Sequence, residues 1–424
     1  MWNRREWLAA VVGAAGCTTP QQSTAPVART REPKKLLLRA GWRSDSIGDT
    51  AQVAGMVRLV RMHAPEAEVV LWSNSLDRGV KPMLLRAYPR LRFVEGDVDA
   101  SGQPDSPALA EAFRECEFLL HGSGPDVMAR DHLRAWRAAT RKPYGIFGVS
   151  IPGAETQGAE ALDQELRQIL DGAVFVFARE SVSLEALRQA GIMTRIGSAP
   201  DAACSLKLAN REAALEFLKR YELVPKQFLA VVPRLRQEPS AEEPGTDVSL
   251  ESAAADHEKL RQVIVRWVRE TGYKVVLCAE KKHQMDLLYP LLYRALPEEI
   301  KSQVVRQPLY WLTDTASSVY RRAAAMVTLE CHSGIIAAAN DTPGIYLHQP
   351  EAGLTGRLWQ EAGLDRWYFE IEQTGGKEIA DRLLEIHENS NASQVDVHEA
   401  VIYARKLQSD AMTVLRQLLW PDSV

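Results

Sequence analysis

The chain has 424 residues, 51 Lys and Arg against 55 Asp and Glu, 46% hydrophobic and 25% charged, a composition that excludes whole-chain disorder, collagen and coiled coil. A formal net charge of −4, with no strongly basic run, excludes the phosphate neutralisation that duplex nucleic acid demands. At roughly 150 residues per domain the length predicts two or three domains, each able to bury a core without disulfides. The five cysteines form no CxxC pair and no metal-ligand cluster, which argues against structural zinc.

Residues 1–16 carry Arg4 and Arg5, then a short apolar stretch, then Gly16-Cys17, followed by Thr-, Pro-, Gln- and Ser-rich chain to Thr30. That layout predicts an export signal and linker over 1–32. The apolar stretch is about half the ~20 residues a membrane-spanning helix needs. Arg-Arg-Glu-Trp-Leu resembles the twin-arginine export motif, and Ala14-Ala15-Gly16-Cys17 resembles a lipoprotein cleavage box in which Cys17 becomes the lipidated first residue. The mature protein is then expected in the periplasm or anchored to a membrane of the cell envelope. The alternative is an apolar but unstructured tail.

From Lys34 onward short apolar runs alternate with amphipathic segments, as in parallel strands joined by crossover helices. The first half predicts strands over 35–39, 67–72, 91–94, 118–121, 144–149 and 174–177, with helices near 50–63, 107–115, 129–140, 159–171 and 181–189. The second half predicts a helix near 211–220, strands over 228–232, 274–278, 325–329 and 344–347, and helices over 253–271, 284–295, 314–322 and 333–340. The Glu-, Pro-, Ser- and Gly-rich stretch 236–247 reads as a mobile surface loop. The fold expected is α/β, with two Rossmann-like doubly wound domains, 33–208 and 209–375, facing a cleft. Two helical segments within 376–424 are expected to pack across the domain junction.

Ligands of such folds lie at the carboxyl ends of strands, so chemistry is sought in the loops just after them. Gly48 and Asp49 open the first helix, where tight backbone and free amides suit an anion, although a plain cap explains them as well. Gly122-Ser123-Gly124 follows an apolar strand and lets a ligand approach the backbone, but it matches neither a P-loop nor a dinucleotide fingerprint. Arg179, with Ser183 a turn later, offers a guanidinium for phosphate or carboxylate, or else pairs with Glu180. Asp201 is expected to support Arg179 or to cap the next turn.

Arg234 follows the first strand of the second half. His283 and Asp286 are three apart on a predicted helix, and surface solvation is the expectation for Lys281 and Lys282. The strongest segment is Glu330-Cys331-His332-Ser333-Gly334, where a buried strand meets an Ala-rich helix. Free amides there suit an anion, and His332 can move a proton near neutral pH. No carboxylate-histidine cluster has metal-ligand spacing, and no cofactor is implied.

In order along the chain, Gly48-Asp49, Gly122 to Gly124, Arg179-Glu180 with Ser183, Pro200-Asp201 and His332-Ser333 resemble the polysaccharide pyruvyl transferase family. The resemblance implies a fold similar to two-domain GT-B glycosyltransferases and transfer of pyruvate from phosphoenolpyruvate to a saccharide as a cyclic ketal. It implies that Arg179 and His332 contact the donor, with His332 protonating its methylene carbon. The family commonly carries arginine two residues before this histidine, where this chain has Glu330. That carboxylate would repel the donor unless it turns away or pairs with an arginine such as Arg321 or Arg322. Two alternatives stand beside transfer: an exported relative that binds or modifies glycan without phosphoenolpyruvate, and a GT-B glycosyltransferase.

Overall fold

Leu36, Leu37 and Leu38 are all fully buried, which requires a strand covered on both faces. They belong to β1 (Lys35–Arg39), in a computed structural model that describes residues 32–41, 43–73, 76–236 and 250–421, with backbone alone at 250–252. The export signal with Arg4 and Arg5, the lipidation candidate Cys17, and positions 237–247 of the expected surface loop lie outside the described residues.

The first sheet contains β1, β2 (Glu68–Trp72), β3 (Arg92–Val94), β4 (Phe118–His121), β5 (Tyr144–Val149), β6 (Phe175–Ala178) and β7 (Arg195–Ser198), in the order β3-β2-β1-β4-β5-β6-β7. Its connections include α1 (Ile47–His63), α2 (Val80–Ala87), α3 (Pro107–Glu115), α4 (Arg130–Thr140), α5 (Ala154–Gln157), α6 (Gln164–Gly172) and α7 (Ser181–Gln189). After α8 (Arg211–Arg220) the second sheet is built from β8 (Phe228–Val232), β9 (Lys274–Leu277), β10 (Val304–Arg306), β11 (Ala325–Thr328), β12 (Gly344–His348) and β13 (Tyr368–Glu370). Their order is β10-β9-β8-β11-β12-β13. Its helices are α9 (Leu250–Thr271), α10 (Glu298–Lys301), α11 (Thr313–Tyr320), α12 (Cys331–Ala338) and α13 (Arg357–Glu361). All strand pairs in both sheets are parallel. The strand order reverses between β1 and β4 in one sheet and between β8 and β11 in the other, and such reversals open ligand crevices.

The alternation of β1 sorts the core. Leu37 joins Val70, Leu119, Leu133 and Trp136 on one face. Leu36 and Leu38 face α1, and that apolar cluster runs on without a break into β8, β9 and β11. Residues 33–424 accordingly form one compact unit containing two α/β domains. Gly55 permits part of this closeness, because a Cβ there would stand 1.9 Å from the Ala202 carbonyl oxygen. Of the last two helices, α14 (Gly376–Glu388) lies on α9, while α15 (Ser390–Leu419) reaches back to α1, β7 and the short turn Ala202–Ser205.

Several expectations need correction. The half-exposed strands β7, β10 and β13 and the short helix α2 were not evident as apolar runs, because they are edge strands of three or four residues or a single amphipathic stretch. The helix expected over 159–171 is a 3₁₀ turn, Gly158–Ala161, followed by α6, whose start is set by Asp163 accepting from the Leu166 amide at 2.7 Å. The helix expected over 284–295 is a 3₁₀ turn, Lys282–Asp286, followed by π-helical Leu288–Tyr293. Pro290 inside that segment lacks the N–H a regular helix needs.

Candidate functional site

Loops at the carboxyl ends of both sheets meet at one junction, where charged residues follow β1, β6, β7, β8, β9 and β11. After β1, Gly48 begins α1 directly against His332: a Cβ at position 48 would stand 2.6 Å from His332 Cβ and 2.7 Å from its Cγ. Only a residue without a side chain lets the first domain close on that ring. The Ile47 amide donates to the Glu280 carbonyl at 3.0 Å, and the Lys282 amide donates to the Asp45 carbonyl at 2.9 Å.

Asp201 lies at the centre. Its Oδ2 accepts from Gln52 Nε2 at 2.7 Å and from Arg179 Nη1 at 3.2 Å, and lies 3.3 Å from His332 Nε2. Its Oδ1 accepts from the Ala203 amide at 2.9 Å. The guanidinium and the imidazole, from different domains, therefore converge on one carboxylate. Burial opposes ionisation of Asp201, but the His332 and Arg179 charges outweigh it and hold its carboxyl well below the usual range.

The other His332 nitrogen, Nδ1, lies 3.5 Å from Glu280 Oε1. Burial disfavours the imidazolium, yet Asp201 and then Glu280 overcome this and raise the His332 pKa well above 6.5. Asp49, also beside His332, is shifted the opposite way from Asp201, because burial pushes its carboxyl up. Arg179 donates from Nε to Ser150 Oγ at 3.0 Å and is 3.5 Å from Glu180 Oε2, while Glu180 also accepts from Ser150 and from Ser183. Arg179 therefore takes both roles weighed for it, pairing with Glu180 and facing His332 through Asp201.

Glu330 does not pair with Arg321 or Arg322, which precede β11, whereas Glu330 follows it. Its carboxylate accepts from Gln284 Nε2 at 2.5 Å, with Lys281 Nζ at 3.1 Å and Arg234 Nε at 3.8 Å. Lys281, expected as a solvated surface residue, is instead largely covered and ion-paired. Arg234 also donates to Gln349 Oε1 at 2.9 Å.

The amides expected to stand open at helix starts are taken by the chain's own carboxylates. Glu280 Oε2 accepts from the Ser333 amide at 2.5 Å. At α7, Glu361 accepts from the Ser181 amide at 2.7 Å and from its hydroxyl at 2.6 Å. Other candidates act as framework. Ser123 Oγ is buried, donates to the Gly148 carbonyl at 3.0 Å and receives the Ala202 amide at 3.3 Å. A Cβ at Gly122 would stand 2.9 Å from Ala40 Cβ, and the Gly124 amide donates to the Gly148 carbonyl. Ser183 Oγ receives the Ile151 amide at 2.7 Å. Gly334 faces Trp359, whose ring a Cβ would meet at 2.7 Å. His283 sits in the 3₁₀ turn; the member of that segment that reaches Glu330 is Gln284.

Sequence reasoning missed Glu280, Gln52 and Gln284 as site residues. Glu280 carried the signal of following an apolar strand. Gln52 carried none, since its role depends on which turn of α1 faces Asp201. Asp97, Asp131 and His132 also converge at a spacing that suits a metal. There, however, Arg39 Nε donates to His132 Nδ1 at 2.9 Å, which leaves the ring proton on Nε2 facing Asp97 at 2.7 Å. That tautomer suits a proton where a metal would need a lone pair.

A family model for polysaccharide pyruvyl transferase matches residues 47–347. No curated protein matches the sequence significantly. Solved structures resemble the fold. The S. aureus MnaA–UDP co-structure aligns with TM-score 0.58 at 12% identity, over 91% of this chain and 97% of that one. The UDP-GlcNAc 2-epimerase of Neisseria meningitidis bound to UDP-GlcNAc gives 0.55 at 11% identity, over 91% and 99%. Phytolacca americana UGT2, complexed with UDP-2fluoro-glucose and pterostilbene, gives 0.54 at 12% identity, over 92% and 100%. At these identities the likeness establishes a GT-B-like fold and nothing about substrate.

Proposed function

The chain belongs to the polysaccharide pyruvyl transferase family, and on that premise we propose that it transfers pyruvate from phosphoenolpyruvate to a cell-envelope saccharide as a cyclic ketal. One arrangement carries the reading: His332 between Asp201 and Glu280, at the closed junction and beside Arg179. An imidazolium held by two carboxylates is a ready general acid. In the proposed sequence its Nε2 proton goes to the methylene carbon of phosphoenolpyruvate, leaving C2 electron-poor and stabilised by the ester oxygen.

One sugar hydroxyl adds to C2 and loses its proton, the C2–O bond to phosphate breaks, and a neighbouring hydroxyl closes the ring with loss of a second proton. The products are the ketal and inorganic phosphate. Arg179 Nη2, which makes no hydrogen bond to a described residue, supplies donors for the phosphate or carboxylate. The test is ketal pyruvate on an acceptor glycan after purified protein is given phosphoenolpyruvate, with His332→Gln expected to slow it by about 100-fold or more. No product with any envelope glycan overturns the reading.

A second reading rests on Glu330. Its carboxylate already neutralises Arg234 and Lys281, so an exported relative could bind or modify glycan without this donor. Calorimetry separates the two: saccharide binding with no phosphoenolpyruvate heat supports the second, and tight phosphoenolpyruvate binding rejects it. Export itself is part of the proposal. Replacing Arg4 and Arg5 by Lys should retain the protein in the cytoplasm, and Cys17→Ser should release it from the membrane fraction; unchanged fractionation of both variants counts against the address.

A further inference from the structure

Arg321 and Arg322, once freed from the expected pairing with Glu330, line a different feature. Together with Arg211, Ser318, Asn340 and Ala209 they surround a cavity of about 320 Å³. It lies at the opposite end of α12 from His332. Eight residues of helix at ~1.5 Å each put it about 12 Å from the charged junction.

The charge there is one-sided. No carboxylate among the described residues stands within ion-pair distance of Arg211, Arg321 or Arg322. The nearby acids are engaged elsewhere, Asp314 with Arg86 at 2.9 Å and Asp341 with His398 at 3.0 Å. Glu212, in the same helical turn as Arg211, forms no pair with any of the three. Arg211 is also the first residue of α8, where the helix dipole already presents positive charge and an arginine is disfavoured. Burial and then the two neighbouring guanidinium groups lower the pKa of Arg322. Arg322 donates to the Ser318 carbonyl at 2.5 Å, but three arginines with no carboxylate in ion-pair distance, around a cavity with room for a hydrated oxyanion, contradict local preference in the way that binding sites do.

We propose that Arg211, Arg321 and Arg322 form an anion-binding site separate from the junction, taking a phosphate group that is either free in solution or carried on a lipid headgroup. Guanidinium donors suit tetrahedral oxyanions through paired hydrogen bonds, and the α8 amino terminus adds the sign of its dipole.

Isothermal titration of the full chain with inorganic phosphate in low-salt chloride buffer tests the free source. Co-sedimentation with phosphatidylglycerol–phosphatidylcholine vesicles, against pure phosphatidylcholine, tests the lipid source. Both use an Arg179→Gln background, which removes the guanidinium assigned to phosphate at the junction. The double variant Arg211→Gln, Arg321→Gln alters two exposed side chains and should leave the melting temperature nearly unchanged. In it, phosphate or anionic-vesicle binding should weaken at least about tenfold, and raising the salt should weaken the parent protein similarly. Binding by neither source, or binding that persists in the double variant, overturns the proposal.

Discussion

Asp201 and His332 depend on each other across the domain junction, and their pH behaviour exposes that dependence. His332 has a raised folded pKa, so the stability it contributes is fully present below its unfolded value of about 6.5 and is lost as pH rises through the folded value. Asp201 has a depressed one, so its contribution is present above its unfolded value of about 3.9 and is lost as pH falls through the folded value. Asp201→Asn should therefore destabilise most between about pH 4 and 6.5, by about 3 kcal/mol, with the gap narrowing on the alkaline side. Denaturant titrations across pH check this, and a gap independent of pH would refute the pairing. Glu330→Gln should lower stability by about 1–3 kcal/mol, because it removes a buried carboxylate that both Arg234 and Lys281 face. Under the transfer reading the same variant should bind phosphoenolpyruvate several-fold more tightly, since one negative charge facing the anionic donor is removed. Melting and calorimetry together separate the effects. His332 and Arg179 were legible as residues because each follows a strand. Asp201 was legible as a support for Arg179, but its contact with His332 was not, since 131 residues separate the two in the chain.

At the scale of elements, two glycines of α1 make different contacts. Gly55→Ala would drive a Cβ to 1.9 Å from a backbone oxygen that has no freedom to move, and should cost about 1–3 kcal/mol, read as a lowered midpoint in urea. Gly48→Ala meets a side chain, the His332 ring. Its nearest neighbour is His332 Cβ at 2.6 Å, which turning the ring does not move, so the substitution should part α1 from α12, displace the imidazole, reduce turnover and lower stability by about 1–3 kcal/mol. Activity unchanged in Gly48→Ala would mean that the ring position is not critical. The fully covered strands β1, β4 and β8 coincide with their apolar runs, and Ser106 and Asn210 cap α3 and α8, the helices that precede β4 and β8. The thin edge strands β10 and β13 carry too few apolar residues to stand out, and their pairing is fixed by their neighbours.

Across the whole molecule, one apolar cluster runs through both sheets, and α15 ties the last residues to the first domain. Gln408, fully buried on α15, donates to the carbonyls of Pro200 at 3.1 Å and Asp201 at 2.7 Å and accepts from Ser205 Oγ at 2.6 Å. Gln408→Ala leaves those groups unsatisfied in a dry setting. It should cost about 1–3 kcal/mol per orphaned group and also lower activity, because the Asp201 turn loses its support. If stability falls while activity per folded molecule is unchanged, α15 supports the fold alone.

The alternation of short apolar runs with amphipathic segments determined by itself that the chain would build parallel sheets with crossover helices, because strands buried on both faces must be apolar throughout. The position of histidine and arginine just after strands likewise marked where chemistry would gather. Only the tertiary structure decided which charges meet. Packing two domains on a shared core placed Asp201 between Arg179 and His332, filled two helix starts with Glu280 and Glu361, and paired Glu330 with Arg234 and Lys281. Apart from Arg179 and Asp201, which follow neighbouring strands of one sheet, those partners are distant in sequence and close only once both sheets have folded, so no local pattern records them.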